Sequence, residues 1–202
     1  MGNFTTRDFY FDKAKAGGFK ARSVFKLEEI DKSLKLIKTN SVALDLGCAP
    51  GSWLQYLAKK IGPHGAALGI DLTEVKEKFH NNIKTIQGDC FDLSLEKIAE
   101  LMSDLQNQFN GLDIVLSDMA PKTCGIKHVD QIRSLNLAEK AFEIAKKLLK
   151  PGGHVVIKVF DGGEVSQLVG QMKKEFKIVR HMRPKSVRSV SKEFYVVGYN
   201  KK

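Results

Sequence analysis

Three short segments carry residues whose chemistry suits a nucleotide-like ligand. Asp45-Leu46-Gly47-Cys48-Ala49-Pro50-Gly51 follows an apolar run and opens a helical stretch. Small residues at such a place let the backbone approach a ligand closely. Asp71 ends the next apolar run, followed by Leu72, and a carboxylate there accepts hydrogen bonds from ribose hydroxyls. Gly88-Asp89-Cys90 ends a third run, where a carboxylate suits an adenine amino group. One such loop is ordinary punctuation. Three polar strand ends in succession are much harder to attribute to chance.

The elements that must position these residues follow from the apolar pattern. Residues 42–46, 66–70, 83–86, 112–117 and 155–160 read as strands rich in Val, Ile and Leu. Between them lie helical stretches. One spans about 52–60, and a second carries Leu95, Ile98, Leu101, Met102 and Leu105 on one face. A long third helix carries Leu135, Ala138, Phe142, Ala145 and Leu149 and is expected to end at Lys150, before Pro151-Gly152-Gly153. A helix near 164–174 then leads to strands near 177–182 and 193–199. Alternating strands and helices predict a parallel sheet covered on both faces. Only a loop separates the last two strands, too little for a helical crossover, so the last strand is expected to run antiparallel. The fold class is α/β, Rossmann-like, with a mostly parallel seven-stranded sheet.

Composition narrows the class further. The chain has 202 residues, 43% apolar and 28% charged, which is globular rather than disordered or fibrous. No apolar run approaches the ~18 residues of a membrane span, and 9–11 is too short for a secretory leader. Met1-Gly2 with Thr6 matches a loose acylation pattern, read here as coincidence. A single domain over 1–202 is expected, with 1–20 a basic extension and 21–202 a catalytic core. Net charge is +10, from 33 Lys and Arg against 23 acids, and this favours a polyanionic partner. Cys48, Cys90 and Cys124 form no paired motif and the five histidines no ligand spacing, so neither a disulfide frame nor a metal site is expected. A reducing, cytoplasmic setting fits that usage.

Rival chemistries fail at specific residues. The first loop is Gly47-Cys48-Ala49-Pro50-Gly51, not the GxGxxG of a dinucleotide dehydrogenase, and no GxxxxGK[ST] phosphate loop occurs. Base amino-group methylation uses an Asp/Asn-Pro-Pro-aromatic run, which Asp118-Met119-Ala120-Pro121 does not supply. A cysteine nucleophile for cytosine carbon methylation would have to be Cys124, three residues beyond Pro121. It reads better as a loop thiol.

At this point the chain resembles the FtsJ family of S-adenosyl-L-methionine-dependent RNA ribose 2'-O-methyltransferases. The resemblance rests on five motifs in order across 19–199. They are RSVFKLEEI from Arg22, DLGCAPGSW from Asp45 to Trp53, SDMAP from Ser117, VIKVF from Val156, and SKEFY from Ser191. Two small departures stand in them: Cys48 where relatives often have Ala, and Lys122 where Asn is common. The resemblance implies a catalytic tetrad of Lys26, Asp118, Lys158 and Glu193. It implies cofactor contacts from Asp45, Gly47, Cys48, Ala49, Pro50, Gly51, Trp53, Asp71, Leu72, Asp89, Cys90 and Asp118.

The chemistry asks for these residue types. A ribose hydroxyl is a poor nucleophile and must lose its proton as it attacks the methyl group, so Lys158 is expected to be the general base. Asp118 would orient Lys158, and Glu193 would hold Lys26 or the hydroxyl. A lysine inside a VIKVF strand is itself unusual, because strand cores rarely bury an unpaired ammonium. Lys26 and Glu193 taken alone read as ordinary surface charges and gain a role only through the resemblance.

RNA contact is expected from two basic flanks. Lys13, Lys15, Lys20 and Arg22 are interleaved with Phe9, Tyr10 and Phe11, a mix suited to phosphates and exposed bases. Arg183, Lys185 and Arg188, with Arg180, precede the last strand. By resemblance to the short members of the family, the expected substrate is a uridine of large-subunit rRNA, in the subunit or its precursor, and the expected state is a monomer. A tRNA target, or an inactive RNA-binding protein on the same fold, are the alternatives.

Overall fold

A computed structural model describes residues 9–106, 109–162 and 164–202. Met1-Gly2, Thr6 and the first eight residues of the basic extension lie outside the described residues. Helices α1 (Phe9–Ala16) and α2 (Val24–Leu34) come first. They precede β1 (Val42–Leu46), α3 (Ser52–Ile61), β2 (Ala66–Asp71), β3 (Ile83–Gln87), α4 (Leu95–Ser103) and β4 (Leu112–Ser117). The chain closes with α5 (Lys127–Leu148), β5 (Leu149–Phe160), α6 (Val165–Glu175), β6 (Phe176–Met182) and β7 (Glu193–Lys201).

The strands form one seven-stranded sheet in the order β3-β2-β1-β4-β5-β7-β6. β1 to β5 pair in parallel, while β7 is antiparallel to both β5 and β6. One consequence matters for chemistry. The parallel strands all end at one sheet edge, and an antiparallel β7 begins at that same edge. Register confirms it: Phe160, the last residue of β5, lies opposite Glu193, the first of β7.

Every residue of β1 is buried, as expected for a parallel strand covered on both faces. One apolar core unites Val155, Ile157 and Val159 of β5 with α4, α5 and α6. The other unites Val156 with Tyr195 and Val197 of β7 and with α1, α2 and α3. Side chains alternate along a strand, so Lys158 shares the second face with Val156 and Tyr195. Among the described residues, no helix is long and apolar enough to cross a membrane.

Two sequence expectations change at the edges. The long helix stops at Leu148 rather than Lys150, because Leu149 is buried and pairs with Leu112 of β4. Pro151-Gly152-Gly153 therefore bulges within β5 instead of preceding it; the register shifts between Leu112 and Ile114, and Gly152 has positive φ. Residues 9–20 also pack onto the body rather than trailing from it. Ala14 is buried, and Tyr10 and Phe19 lie 5.6 and 6.2 Å from the Phe25 ring of α2.

Side-chain ties fix α2 on α3. Buried Asp31 accepts from the Ile37 amide at 2.9 Å and the Tyr56 hydroxyl at 2.8 Å, and pairs with Lys60 at 3.0 Å. The Ser23 and Ser52 hydroxyls bond at 2.9 Å, and the Trp53 indole donates to the Ser23 carbonyl at 2.8 Å. At the far end of the chain, Lys201 donates to the Lys146 and Leu149 carbonyls and Lys202 to those of Lys173 and Lys174, closing the carboxyl ends of α5 and α6.

Candidate active site

The strand order reverses between β1 and β4, and crevices at such points hold ligands in open α/β sheets. A cleft of about 230 Å³ opens there, lined from four strand ends and α5. Gly47 and Ala49 come from the loop after β1, Asp71 and Leu72 from β2, Gly88 to Phe91 from β3, and Asp118 to Ala120 from β4. Gly47 sits at φ 77° beneath Met119; a Cβ there would lie 2.8 Å from the Met119 nitrogen. Only glycine lets the two loops meet so closely.

Carboxylates give the cleft its character. Asp71 stiffens the first loop by accepting from the Ala49 amide at 2.9 Å and the Thr73 amide at 2.7 Å. Asp89 accepts from the Phe91 amide at 2.9 Å. Asp45 is fully buried in β1, and neither of its oxygens has a hydrogen-bond partner. Burial first, then the charges of Asp118 and Asp71, hold its carboxyl well above the usual range. The contrast with Asp31, equally buried but fully partnered, marks Asp45 as a group waiting on a cation or a donor.

The remaining expected cofactor residues divide into wall and support. Cys90 is buried at the cleft with Sγ 3.5 Å from the Met119 sulfur, and burial raises its thiol to about 11. The Cys48 thiol instead faces the core, where a Cβ on Gly69 would lie 2.8 Å from it, and burial pushes it up as well. Pro50 is exposed at the loop tip, and Gly51, at φ 103°, packs against Val75 and Phe79. Trp53 is buried behind the loop with its ring 6.0 Å from Tyr195. Cys124, the one exposed cysteine, lies off the cleft wall and bonds Asp130 at 3.4 Å through its thiol.

Beside the cleft the four residues expected as a tetrad gather on one face. The Lys158 ammonium nitrogen lies 3.0 Å from Asp118 Oδ1 and also donates to the Asp118 carbonyl; only 6% of the lysine side chain is exposed. Lys26, in the first turn of α2, forms an ion pair with Glu193 at the start of β7. Tyr195, fully buried, donates its hydroxyl to the same Asp118 oxygen at 2.7 Å. Burial first, then the Asp118 and Glu193 charges, push that hydroxyl's pKa far up, so it stays a donor. Tyr195 was missed as a site residue, although its place two residues after Glu193 puts both on one strand face.

The chain belongs to the FtsJ-like methyltransferase family. The family model matches residues 19–201. A ribosomal RNA large subunit methyltransferase E of Bdellovibrio bacteriovorus is 47% identical over 98% of this chain and 99% of its own. One of that name from Desulfatibacillum aliphaticivorans is 45% identical over 97% and 91%. A Plasmodium falciparum crystal structure titled as a ribosomal RNA methyltransferase superposes with TM-score 0.77 at 26% identity, covering 91% of this chain and 98% of that one.

Methyltransferases of this family type use S-adenosyl-L-methionine, and the cleft suits it. Asp71, Asp89 and Asp118 in its wall offer acceptors for hydroxyls and amines and charge for a sulfonium. Gly47 lets the loop after β1 pack against Met119 to form the cleft wall.

The expected RNA residues split in two. Lys13, over the Phe25 ring at 4.5 Å, and Lys185 line one groove with Tyr10 and Lys32. Thus two basic flanks separated by most of the sequence meet beside α2. Lys15 and Arg188 are exposed. Lys20 pairs with Glu77 at 2.8 Å. The guanidinium of Arg22 donates to the Ser186 carbonyl, and that of Arg183 to the Arg188, Ser191 and Glu193 carbonyls. Each of these guanidiniums helps to shape the chain.

Proposed function

We propose that this protein methylates a ribose 2'-hydroxyl of RNA, with S-adenosyl-L-methionine as donor and a uridine of large-subunit rRNA as target. The observation that carries the reading is the Lys158 amine, buried at a sheet edge and fixed by both the carboxylate and the carbonyl of Asp118. Those two hydrogen bonds use two N–H groups. They fix the amine against Asp118, where it rests as an ammonium; once it has released a proton to solvent, its lone pair can take the hydroxyl proton.

The residues divide the work between them. Asp71 and Asp89 would hold the donor's ribose and adenine, and Asp118 would face its positive charges. When bound, S-adenosyl-L-methionine supplies a methyl on a sulfonium: the C–S bond breaks as the O–C bond forms. Lys158 takes the hydroxyl proton in that step. Lys26, braced by Glu193, is set to bind the attacking nucleotide, and alignment supplies much of the rate. The groove of Lys13 and Lys185 is assigned to flanking phosphates. We assign 21–202 as the catalytic core, acting as a monomer on the large subunit or its precursor in the cytoplasm.

The test is transfer of labelled methyl to purified ribosomal subunits, rRNA and tRNA. Label in large-subunit rRNA that protects the adjacent phosphodiester from alkali is expected, with none from Lys158→Ala. Lys13→Ala/Lys185→Ala should bind RNA with a salt slope reduced by about 1 to 2, from loss of two phosphate contacts. Cofactor binding without transfer to any RNA would overturn the assignment.

A further inference from the structure

The segment between β6 and β7, residues 183–192, carries four cations and joins Met182 to Glu193. Its shape is set by few contacts. Ser186 is fully buried, yet its hydroxyl has no partner, so its side chain does not anchor it through a hydrogen bond. Its backbone does. Glu29 Oε2 accepts from the Lys185 amide at 2.6 Å, and Oε1 from the Ser186 amide at 3.0 Å. Arg22 donates to the Ser186 carbonyl from the other side.

Both clamping residues flank Lys26. Glu29 lies three residues after it on the same helix, so the two share a face of α2. Beyond the clamp, Arg183 ties the segment to itself through the Arg188, Ser191 and Glu193 carbonyls. Ser191 Oγ accepts from the Glu193 amide at 3.2 Å. The segment is therefore tied to itself, and Glu193, the residue that follows it, pairs with Lys26.

We propose that Glu29 is a positioning residue for methyl transfer. By holding the Lys185 and Ser186 amides, its carboxylate locks the β6–β7 segment onto α2 and so sets Glu193 against Lys26. Glu29 lines the groove of Lys13 and Lys185, and its proposed effect on transfer runs through the backbone it holds. The proposal rests on the function assigned above for its kinetic arm and on the fold alone for its exchange arm. Hydrogen bonds to an ionised acceptor are the strong class, and one carboxylate taking two backbone donors fixes both direction and register.

The experiment compares the full-length protein with Glu29→Ala, Glu29→Gln, Glu193→Ala and Glu29→Ala/Glu193→Ala. Amide hydrogen exchange is expected to speed at least tenfold at Lys185, Ser186 and Glu193 together in Glu29→Ala. Faster exchange at 185 and 186 with Glu193 unchanged overturns the proposal, because the clamp is then not transmitted. With rRNA as substrate, Glu29→Ala should lower kcat about tenfold while cofactor affinity holds within twofold. Glu29→Gln, whose amide oxygen still accepts one N–H, should recover to within threefold of the parent. In the Glu193→Ala background the added loss should fall below twofold, and a full tenfold loss there overturns the route through Glu193. If Glu29→Ala does not fold, Glu29→Gln carries the same cycle with a smaller expected loss. A parent protein inactive on every RNA defeats the assigned function but leaves the exchange result to decide the clamp.

Discussion

Replacing Lys158 by Met separates the charge of the site from its packing. The methionine fills nearly the same space but leaves Asp118, whose side chain is 15% exposed, without its cation. Tyr195 still donates to the carboxylate at 2.7 Å, so one hydrogen bond survives. Breaking a buried ion pair by removing one partner costs about 3–5 kcal/mol, and the surviving bond and partial exposure place this case near about 3 kcal/mol. For a chain of this length each kcal/mol moves Tm by roughly 2–4 °C, giving a fall of about 6–12 °C. Adding Asp118→Asn removes the uncompensated charge and should restore most of that loss. Thermal melts and urea titrations on the parent, the single and the double variant measure it, with labelled methyl transfer in parallel. Both variants should be inactive, so stability returns while chemistry does not. A single variant as stable as the parent, or a double variant no more stable than the single, would refute the view that Asp118 and Lys158 are an ionised pair. Single-variant transfer within tenfold of the parent would refute Lys158 as the base.

Tyr195→Phe removes one donor from Asp118 while Lys158 remains at 3.0 Å. A hydrogen bond to a charged group contributes about 1.5–3 kcal/mol, so kcat should fall roughly ten- to a hundredfold with RNA affinity unchanged. Equal kcat would show that Tyr195 only packs against Trp53. Asp45→Asn tests the unpartnered carboxyl. Its folded pKa is raised above the unfolded value near about 4, so the native state holds the proton more tightly and stability falls as pH climbs through that window. The Asn variant escapes this loss. It should be more stable than the parent in urea at pH 7.5, with the advantage shrinking towards pH 4, and a less stable variant at pH 7.5 would mean the carboxylate has a stabilising partner.

Much of the fold was legible because its signals are local and repeated. Buried runs such as β1 and the apolar face of α4 are set by side-chain periodicity, which a sequence displays directly. The antiparallel β7 followed from the short connection before it. The misjudged helix end at Leu148 shows the limit of that reading. Pro151-Gly152-Gly153 is a stop signal in any sequence, but pairing of buried Leu149 with β4 and of Lys150 with Asp113 at 3.3 Å started the strand before it. A tertiary contact overrode a local cue.

The site divides along the same line, and the division explains which residues the sequence could not assign. Lys158 announces itself because an ammonium in a buried strand has no other ready explanation. Asp71 and Asp89 announce themselves as strand-end acids. Arg22 and Arg183 look like RNA ligands in the sequence, and the structure shows their guanidiniums also bonded to main-chain carbonyls. Glu29 reads as a solvated helix acid, although its two partners are backbone amides more than 150 residues away. Side chains that bind backbone leave no trace in the identity of what they bind, since every residue but proline offers the same amide. Charge therefore locates the neighbourhood of an RNA site in a sequence. Which charges face the ligand, and which hold the walls in place, is decided by main-chain geometry that only folding brings together.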